Sequence, residues 1–478
     1  MSFVVPDIAP AAPELLLMVM ACAVLVADVY LGHRLRALTY QLTQVSVVAT
    51  AVLCIAMMPR EAVIGFSGTY VSDPLSGTLK VAMLLIGYYA FFYIRAYLEP
   101  RGEMRGEYFV LGLFSLLGMM VLVSANSLLT VYLGLELMSL CLYAMVALRR
   151  DSTSACEAAM KYFVLGALAS GMLLYGMSLI YGVSGSIQLD HVAEAAGSIE
   201  RTNLVLVLGL VFVLVGVAFK LGAVPFHMWV PDVYEGAPTA VTLFIGTAPK
   251  IAAFGMLMRL LVGALEPLSA DWSQMLSILA VLSIGLGNVV AISQSNIKRM
   301  LAYSTIAHAG FLFLGIIAAT PGGYAASMFY IITYAVMALG SFGMVIALGR
   351  KDFEADRLED FKGLAREHPW FAFLVMILML SMAGAPPFLG FWAKWAVLRE
   401  VIAAGHIWLA VVAVAFSVVG LFYYLRVVRH VYFDEPSGEV VVAPDQDLRV
   451  MLSSNALVIL ALGVYPGALM GLCISALN

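Results

Sequence analysis

A few charged side chains lie inside long apolar stretches of this sequence. The basic ones are Lys80, Lys161, Lys220, Lys250, Arg259 and Lys394. A charge at the centre of a bilayer costs about 2.5–3.5 kcal/mol on insertion scales, so such residues face a protein interior or a water-filled cavity and mark ion or proton pathways. Lysine suits proton transfer, because a buried ammonium can lose its proton whereas a guanidinium stays charged.

Depth within the apolar stretches separates these residues. Lys220, Lys250 and Lys394 are deep, whereas the other three lie close to the end of a stretch, where a side chain can extend to the lipid headgroups. We therefore expect Lys80 and Arg259 to act as interfacial anchors.

Helix-breaking residues lie within two turns of two deep lysines. Pro225 follows Lys220, and the run Gly-Ala-Pro-Pro at 384–387 precedes Lys394. Proline removes a backbone hydrogen bond of the helix, and a broken helix at membrane depth lines a cavity or contacts protein. Such breaks indicate transport sites. Lys250 follows a proline in a third apolar stretch.

An acid and two histidines complete the candidate set. Glu136 is the carboxylate central to an otherwise apolar stretch, either as a partner of the lysines or as part of a structural ion pair. His308 is central to another stretch, and His227 follows the break at Pro225. Either imidazole could relay protons near neutral pH or be a hydrogen-bonded structural residue. Asp73 precedes a proline and is predicted to cap a helix.

The composition predicts the elements that position these residues. Of 478 residues 63% are hydrophobic and 12% charged, against about 25% charged in a typical soluble domain, and a soluble core could not bury so much apolar surface. A crossing helix needs roughly 20 apolar residues, and about fourteen such spans are predicted. They are approximately 11–31, 38–58, 75–98, 107–124, 127–148, 158–183, 203–228, 237–263, 272–293, 297–319, 323–349, 369–398, 407–430 and 449–472.

The distribution of basic residues predicts the orientation. With the N-terminus outside, most of the 26 lysines and arginines, Arg34 among them, fall in or beside cytoplasmic loops. The opposite loops contain Arg60, Arg201 and Arg399. The N-terminal stretch lacks a basic region, so we expect the first span to be retained rather than cleaved as a signal peptide.

The sequence also argues against several kinds of site. The five cysteines include no Cys-x-x-Cys pair and are predicted to be small buried residues, with no iron–sulfur cluster, zinc site or disulfide framework. The longest polar segments, 349–367 and 434–449, are too short for a soluble domain. Neither a Gly-x-Gly-x-x-Gly pattern after a strand nor a Walker loop is present, so nucleotide or redox chemistry is expected of a partner.

One continuous motif resembles a known family. Residues 225–239 read Pro-Phe-His-Met-Trp-Val-Pro-Asp-Val-Tyr-Glu-Gly-Ala-Pro-Thr. The Pro-x-His-x-Trp-x-Pro core resembles the antiporter-like subunits of respiratory complex I and of multisubunit cation/proton antiporters. The continuation Asp-Val-Tyr-Glu-Gly-Ala-Pro-Thr is similar to subunit N of bacterial NADH–quinone oxidoreductase, the counterpart of mitochondrial subunit 2. Segments 73–76, 296–304 and 385–391 also fit, so the resemblance extends over nearly the whole chain.

The resemblance implies an all-α polytopic membrane protein of about 14 transmembrane helices. Spans 4–8 and 9–13 would form two inverted five-helix repeats, with broken helices in spans 7 and 12. The chain would be one transmembrane domain over 1–478. Its expected parts are three N-terminal helices at 1–106, a first antiporter-like repeat at 107–263, a second at 272–430, and a C-terminal loop and last helix at 431–478.

The resemblance also implies roles for individual residues. Glu136 and Lys220 would form the charge pair of the first half-channel, with Lys250 central and Lys394 in the second half-channel. Lys161 falls where the family has a functional lysine. The implied activity is proton translocation, coupled electrostatically to quinone reduction elsewhere in the complex. The candidate catalytic residues are Glu136, Lys220, Lys250, Lys394, Lys161, His308 and His227.

Partners and cofactors are implied in the same way. NADH, FMN, iron–sulfur clusters and quinone would bind other subunits, so no cofactor, metal or redox centre is expected on this chain. The expected partners are the other complex I membrane subunits, including a neighbouring antiporter-like subunit and small membrane subunits, together with lipids, water and protons, and no nucleic acid. The location would be the bacterial inner membrane with the N-terminus periplasmic. Two alternatives remain open: a subunit of a multisubunit Na+ or K+/H+ antiporter, and a structural spacer that conducts nothing.

Overall fold

The computed structural model describes residues 7–31, 36–199, 203–351, 353–436 and 446–477, which are largely helical. The helices are α1 (Ala12–Leu31), α2 (Arg36–Ala56), α3 (Pro74–Leu98), α4 (Glu107–Val123), α5 (Leu128–Ala147), α6 (Thr153–Ser184), α7 (Leu189–Ser198), α8 (Leu204–Leu221), α9 (Trp229–Gly236), α10 (Thr239–Ile245), α11 (Ala248–Leu257), α12 (Ser269–Ile292), α13 (Ile297–Ile317), α14 (Pro321–Leu348), α15 (Leu364–Glu367), α16 (Pro369–Ala383), α17 (Leu389–Ala403), α18 (Ile407–Tyr432), α19 (Gln446–Val464) and α20 (Gly467–Ser475). A π-helical turn at Met258–Ala264 extends α11. Arg34 and Arg201, used in the orientation argument, lie outside the described residues.

The helix lengths agree with a multi-pass membrane protein. In the described ranges, 12 helical segments are long and apolar enough to cross a bilayer. The two other predicted spans correspond to α4 and α16, with 17 and 15 residues. At 1.5 Å per residue, α4 extends roughly 26 Å, less than a hydrocarbon core of about 30 Å. The polytopic α-helical fold is therefore confirmed, while the count of fourteen stays a prediction.

Both predicted helix breaks are present. Helix α8 ends at Gly222, whose φ of 78° is left-handed, and the chain resumes as α9 seven residues further on. Helix α16 ends at Gly384, with φ of 84°, before α17. Glycine adopts this conformation without a steric penalty, so each glycine terminates its helix and leaves the last carbonyl groups without helical partners.

Glycines bring neighbouring helices close together in both halves of the chain. A Cβ atom on Gly118 of α4 would lie 2.5 Å from the backbone nitrogen of Met138 in α5. A Cβ on Gly287 of α12 would lie 2.7 Å from that of Ala307 in α13. Small residues allow this approach between membrane helices. Helix α13 also contacts α9 and α14, so the broken helix of the first half packs against the second half.

A short hairpin joins α2 to α3. Strands β1 (Val63–Gly65) and β2 (Tyr70–Ser72) pair antiparallel, with Ile64 opposite Val71. The backbone N–H of Val71 donates to the Ser124 carbonyl at 2.8 Å. The hairpin is thereby attached to the turn between α4 and α5, and Tyr70 is buried beneath it.

The cysteines divide into two groups. Cys54, Cys141 and Cys473 are buried, as predicted, whereas Cys22 and Cys156 are exposed. The prediction that all five are buried is wrong for these two, because α1 and the start of α6 turn one face outward from the bundle.

Candidate functional site

Lys220 lies in the last turn of α8 and points into the bundle. Its ammonium donates to the Ser139 hydroxyl at 2.7 Å and to the Tyr143 hydroxyl at 3.2 Å, both on α5. The residue is 7% exposed. A buried ammonium is thus held by two neutral acceptors rather than by a carboxylate.

Glu136 lies one helical turn before Ser139 but makes no direct bond to Lys220. No ion pair within 4.0 Å joins the two side chains among the described residues, and the Oε1 atom of Glu136 is buried without a hydrogen-bond partner. The two side chains are therefore not in direct contact in this conformation, and their role as the charge pair of the first half-channel stays a prediction. The two groups still attract each other through the apolar interior, where charges interact more strongly than in water.

Lys250 occupies the break of the first half. Its ammonium donates to the carbonyl oxygens of Lys220 at 3.1 Å and Leu221 at 3.0 Å, the last two residues of α8. It also lies 5.0 Å from the centre of the Trp229 ring. Terminal carbonyl groups form the negative end of a helix dipole and favour a cation. The residue is 2% exposed, so this contact replaces solvation.

The residues around the break leave room for this ammonium. A Cβ on Gly222 would lie 2.7 Å from the Val230 side chain and 3.5 Å from Lys250 Nζ. The Trp229 indole donates to the Phe219 carbonyl at 3.0 Å and stacks on Tyr162 with ring centres 4.6 Å apart. The start of α9 is thereby fixed against the end of α8.

Lys394 has the same kind of partner at the second break. Its ammonium donates to the Ala383 carbonyl, at the end of α16, and to the Ser417 hydroxyl, each at 2.8 Å. It also lies 5.0 Å from the centre of the Phe311 ring. Lys394 comes from α17, the second half of its own broken helix, whereas Lys250 reaches its break from a neighbouring helix.

His308 is buried between three helices and joined to two tyrosines. Its Nδ1 atom lies 2.6 Å from the Tyr330 hydroxyl and its Nε2 atom 3.3 Å from the Tyr424 hydroxyl. The Tyr424 hydroxyl in turn lies 2.5 Å from Ser304 Oγ. A hydrogen-bonded run of this kind can pass a proton. The tyrosines were not predicted, because nothing in the pattern of the sequence indicates which helices meet there.

Aromatic side chains connect the two halves of the site. Tyr234 of α9 has its ring centre 6.3 Å from that of Trp229 and 5.8 Å from that of Phe342 in α14. The Tyr334 ring lies 5.0 Å from His308, and its hydroxyl donates to Thr305 at 2.8 Å. The contact of α9 with α13 therefore brings the Lys250 and His308 regions together.

His227 and Lys161 lie apart from the buried lysines. His227 is half-buried between α8 and α9, and its ring makes no hydrogen bond to Lys220 or Lys250 in the described structure. Lys161 is exposed and forms ion pairs with Glu157 at 2.9 Å and Asp232 at 2.8 Å. Of the seven candidates, these two are not brought into the central set.

Comparison with known proteins shows which family this arrangement of buried lysines belongs to. A family model described as NADH:quinone oxidoreductase/Mrp antiporter, TM, matches residues 125–420. The NADH-quinone oxidoreductase subunit N of Thioalkalivibrio sulfidiphilus is 55% identical over 479 residues, which cover 100% of both chains. The chain belongs to the family of NADH-quinone oxidoreductase N subunits. The counterpart in Nitrosomonas europaea is 52% identical over 478 residues, covering 100% of this chain and 99% of its own.

Solved structures agree with this family assignment. The matching chain of Thermus thermophilus respiratory complex I with bound Aureothin has a TM-score of 0.83 at 31% identity, covering 96% of this chain and 98% of that chain. The matching chain of the Mrp complex from Dietzia sp. DQ12-45-1b has a TM-score of 0.82 at 21% identity, covering 98% and 97%. The latter shows a shared fold alone, so the antiporter alternative has the weaker support.

Lys80 and Arg259 of this chain form ion pairs with buried or half-buried carboxylates. The prediction that they are interfacial anchors is therefore wrong. Lys80 is 2% exposed and pairs with Glu14 of α1 at 2.6 Å and with the Tyr70 hydroxyl at 3.0 Å. Arg259 forms two bonds of 2.7 Å to Asp73. Asp73 caps α3 as predicted, accepting from the Ser76 N–H. Both cations hold helices together inside the protein rather than extending to headgroups.

Removing the carboxylate from the buried pair is expected to destabilise the protein. The change Glu14→Gln leaves Lys80 buried without a counter-ion, which costs about 3–5 kcal/mol. We expect a lower thermal unfolding temperature in detergent, while the exposed control Glu61→Gln leaves it unchanged. The double change Glu14→Gln with Lys80→Met should recover most of the loss. Equal melting of Glu14→Gln and wild type would contradict a stabilising pair.

Lys298 is a buried lysine at the start of α13 that was not among the candidate residues. Its ammonium donates to the Ala237 carbonyl, at the end of α9, at 3.0 Å, and the residue is 4% exposed. The adjacent Arg299 forms ion pairs with Asp232 and Glu235 at 2.9 and 2.7 Å. Successive helical residues point about 100° apart, so Lys298 reaches the backbone at the end of α9 while Arg299 reaches the carboxylates on its side.

Proposed function

We propose that this chain is the proton-translocating N subunit in the membrane arm of an NADH–quinone oxidoreductase, driven by quinone reduction elsewhere in the complex. Full-length similarity to N subunits supports the identity. The observation that carries the transport role is that Lys250 and Lys394 each hold an ammonium on the terminal carbonyl of a broken helix.

This arrangement suits a group that gains and loses a proton. The end of a helix carries about half a negative charge, which stabilises an ammonium without a full counter-ion. A neutral amine in the same place leaves no carboxylate unpaired. Lys80 differs, because its deprotonation would leave the Glu14 carboxylate buried without a counter-ion. The lysines at the breaks can therefore exchange protons, whereas Lys80 stays charged.

The end of α8 couples two of these lysines. Lys220 supplies one of the carbonyl oxygens that hold Lys250, so both ammonium groups lie at one helix end. Two positive charges repel strongly at low dielectric, and protonation of one disfavours protonation of the other. A change in the charge of Glu136 shifts this balance and drives a proton from Lys250 toward the His308 and Lys394 region.

The tyrosines beside His308 are proposed to complete this route. In Tyr424→Phe the hydroxyl that joins Ser304 to the imidazole is absent. Since acid–base relays contribute strongly to proton-transfer rates, we expect proton pumping in membrane vesicles to fall by roughly threefold to tenfold. Tyr465→Phe, at an exposed site, is the matched control. Unchanged pumping in Tyr424→Phe would remove this tyrosine from the route.

The proposed function implies the partner subunits of the chain, the site of the cofactors and the membrane location. Its partners would be a neighbouring antiporter-like subunit and small membrane subunits, with NADH, FMN, iron–sulfur clusters and quinone held elsewhere in the complex. We propose an inner-membrane location with the N-terminus periplasmic, and we propose that residues 107–263 and 272–430 form two inverted repeats. Lys161 and His227 are proposed as further proton-transferring residues of the first half.

Affinity purification from native membranes tests this function. The tagged chain is expected to purify with NADH:quinone reductase activity and to support NADH-driven acidification of vesicles that is independent of Na+ and K+. Purification with a cation/proton exchange activity and no NADH oxidation would contradict the proposal and favour the antiporter alternative.

A further inference from the structure

A surface groove lies between α16 and α19, where both helices begin at the arginine-rich end of the bundle. Its volume is about 780 Å³, and its lining includes Trp370, Arg449, Val450, Ser453 and Leu457. This groove is outside the lysine series, and the proposed route of protons does not use it.

Among the described residues that line the groove, Arg449 is the one cation. Its side chain is exposed and forms neither an ion pair nor a hydrogen bond in the described part of the chain. The nearby arginines differ, since Arg366 pairs with Glu435 and Arg429 pairs with Asp434, each at 3.6 Å. Asp447 lies two residues before Arg449 and so points roughly 200° away around the helix. The described part of the lining therefore offers positive charge without a carboxylate.

The rest of the groove changes from polar to apolar along α19. The Trp370 indole donates to the Ser453 hydroxyl at 2.8 Å, which fixes the ring at the rim. Tryptophan in this position is typical of the membrane–water interface. Val450 and Leu457 are exposed further along the same helix face.

We propose that this groove binds an anionic phospholipid of the surrounding bilayer. The phosphate would pair with Arg449, and an acyl chain would lie along Val450 and Leu457. Charge complementarity favours this occupant over a zwitterionic lipid, because the groove presents one unneutralised cation at headgroup depth.

Lipid binding to the purified complex tests this site. Delipidated complex in detergent is titrated with phosphatidylglycerol or phosphatidylcholine, and bound lipid is counted by native mass spectrometry. A single arginine near the surface accounts for about a fivefold change in affinity for anionic lipid. We expect Arg449→Gln to weaken phosphatidylglycerol binding by that factor, while Arg449→Lys retains most of it.

The controls separate this groove from general surface charge. Arg150→Gln removes an exposed arginine outside the groove and should leave phosphatidylglycerol binding unchanged. A photoactivatable phosphatidylglycerol should crosslink to α19 in wild type and less in Arg449→Gln. Equal binding of both lipids by wild type, equal loss in Arg449→Gln and Arg150→Gln, or absence of crosslinking to α19 would overturn the proposal. The last result would indicate that a partner subunit covers the groove.

Discussion

Replacing Lys250 with alanine is expected to reduce NADH-driven quinone reduction and proton pumping to about a tenth of wild type or less, since loss of a proton-transferring group has effects of this size or larger. The ammonium that bridges the last carbonyls of α8 is then absent. Assembly should be largely retained, because the removed group pairs with backbone carbonyls rather than with a charge. Both activities are measured in inverted membrane vesicles at matched complex content.

Two further variants distinguish proton transfer from simple charge. Lys250→Arg keeps a cation but cannot release its proton at physiological pH, so it should be as inactive as Lys250→Ala. Lys351→Ala removes an exposed lysine from the loop after α14 and should behave as wild type. Full activity of Lys250→Arg would mean that the cation only caps the helix.

Glu136→Gln is expected to depress coupled quinone reduction to a similar degree, roughly tenfold. The amide keeps the shape of the side chain but removes the charge that attracts Lys220. Without this charge, no nearby carboxylate can change which of the two lysines, Lys220 or Lys250, is protonated. Pumping and quinone reduction should fall together, because the two processes are coupled.

A double variant tests whether Glu136 and Lys220 act as one unit. Residues with a shared role give non-additive losses, so Glu136→Gln with Lys220→Met should be little worse than either change alone. Glu99→Gln, at an exposed surface pair, serves as the control. Additive losses, or a single Glu136→Gln variant with full coupling, would separate the two residues.

The helical spans and the two helix breaks could be predicted from the sequence, because each break depends on the local residues. The prolines and glycines at 222–225 and 384–387 terminate helices wherever they lie. Interruptions and short helices without such a cluster of prolines and glycines were less well predicted. The interruption between α10 and α11, at Gly246 and Thr247, falls inside one predicted span, and the amphipathic helix α7 was not predicted.

The partners of the site residues could not be predicted from the sequence. Lys250 was predicted to be functional from its depth, the preceding proline and the family resemblance, but none of these indicated its acceptors, which lie about thirty residues earlier in the chain. Periodicity does not indicate which two helix ends will meet. Lys80 shows the same limit, since its position near a span end favours anchoring unless the contact with Glu14 is known.

The most direct measurement is the number of protons pumped per NADH oxidised by the complex in liposomes, with the four central charges neutralised together. The variant combines Glu136→Gln with Lys220→Met, Lys250→Met and Lys394→Met. If protons cross this chain through its buried lysines, the ratio falls, or turnover stops in a fully assembled complex. An assembled variant that keeps the wild-type rate and ratio would contradict this account and leave the chain as a spacer.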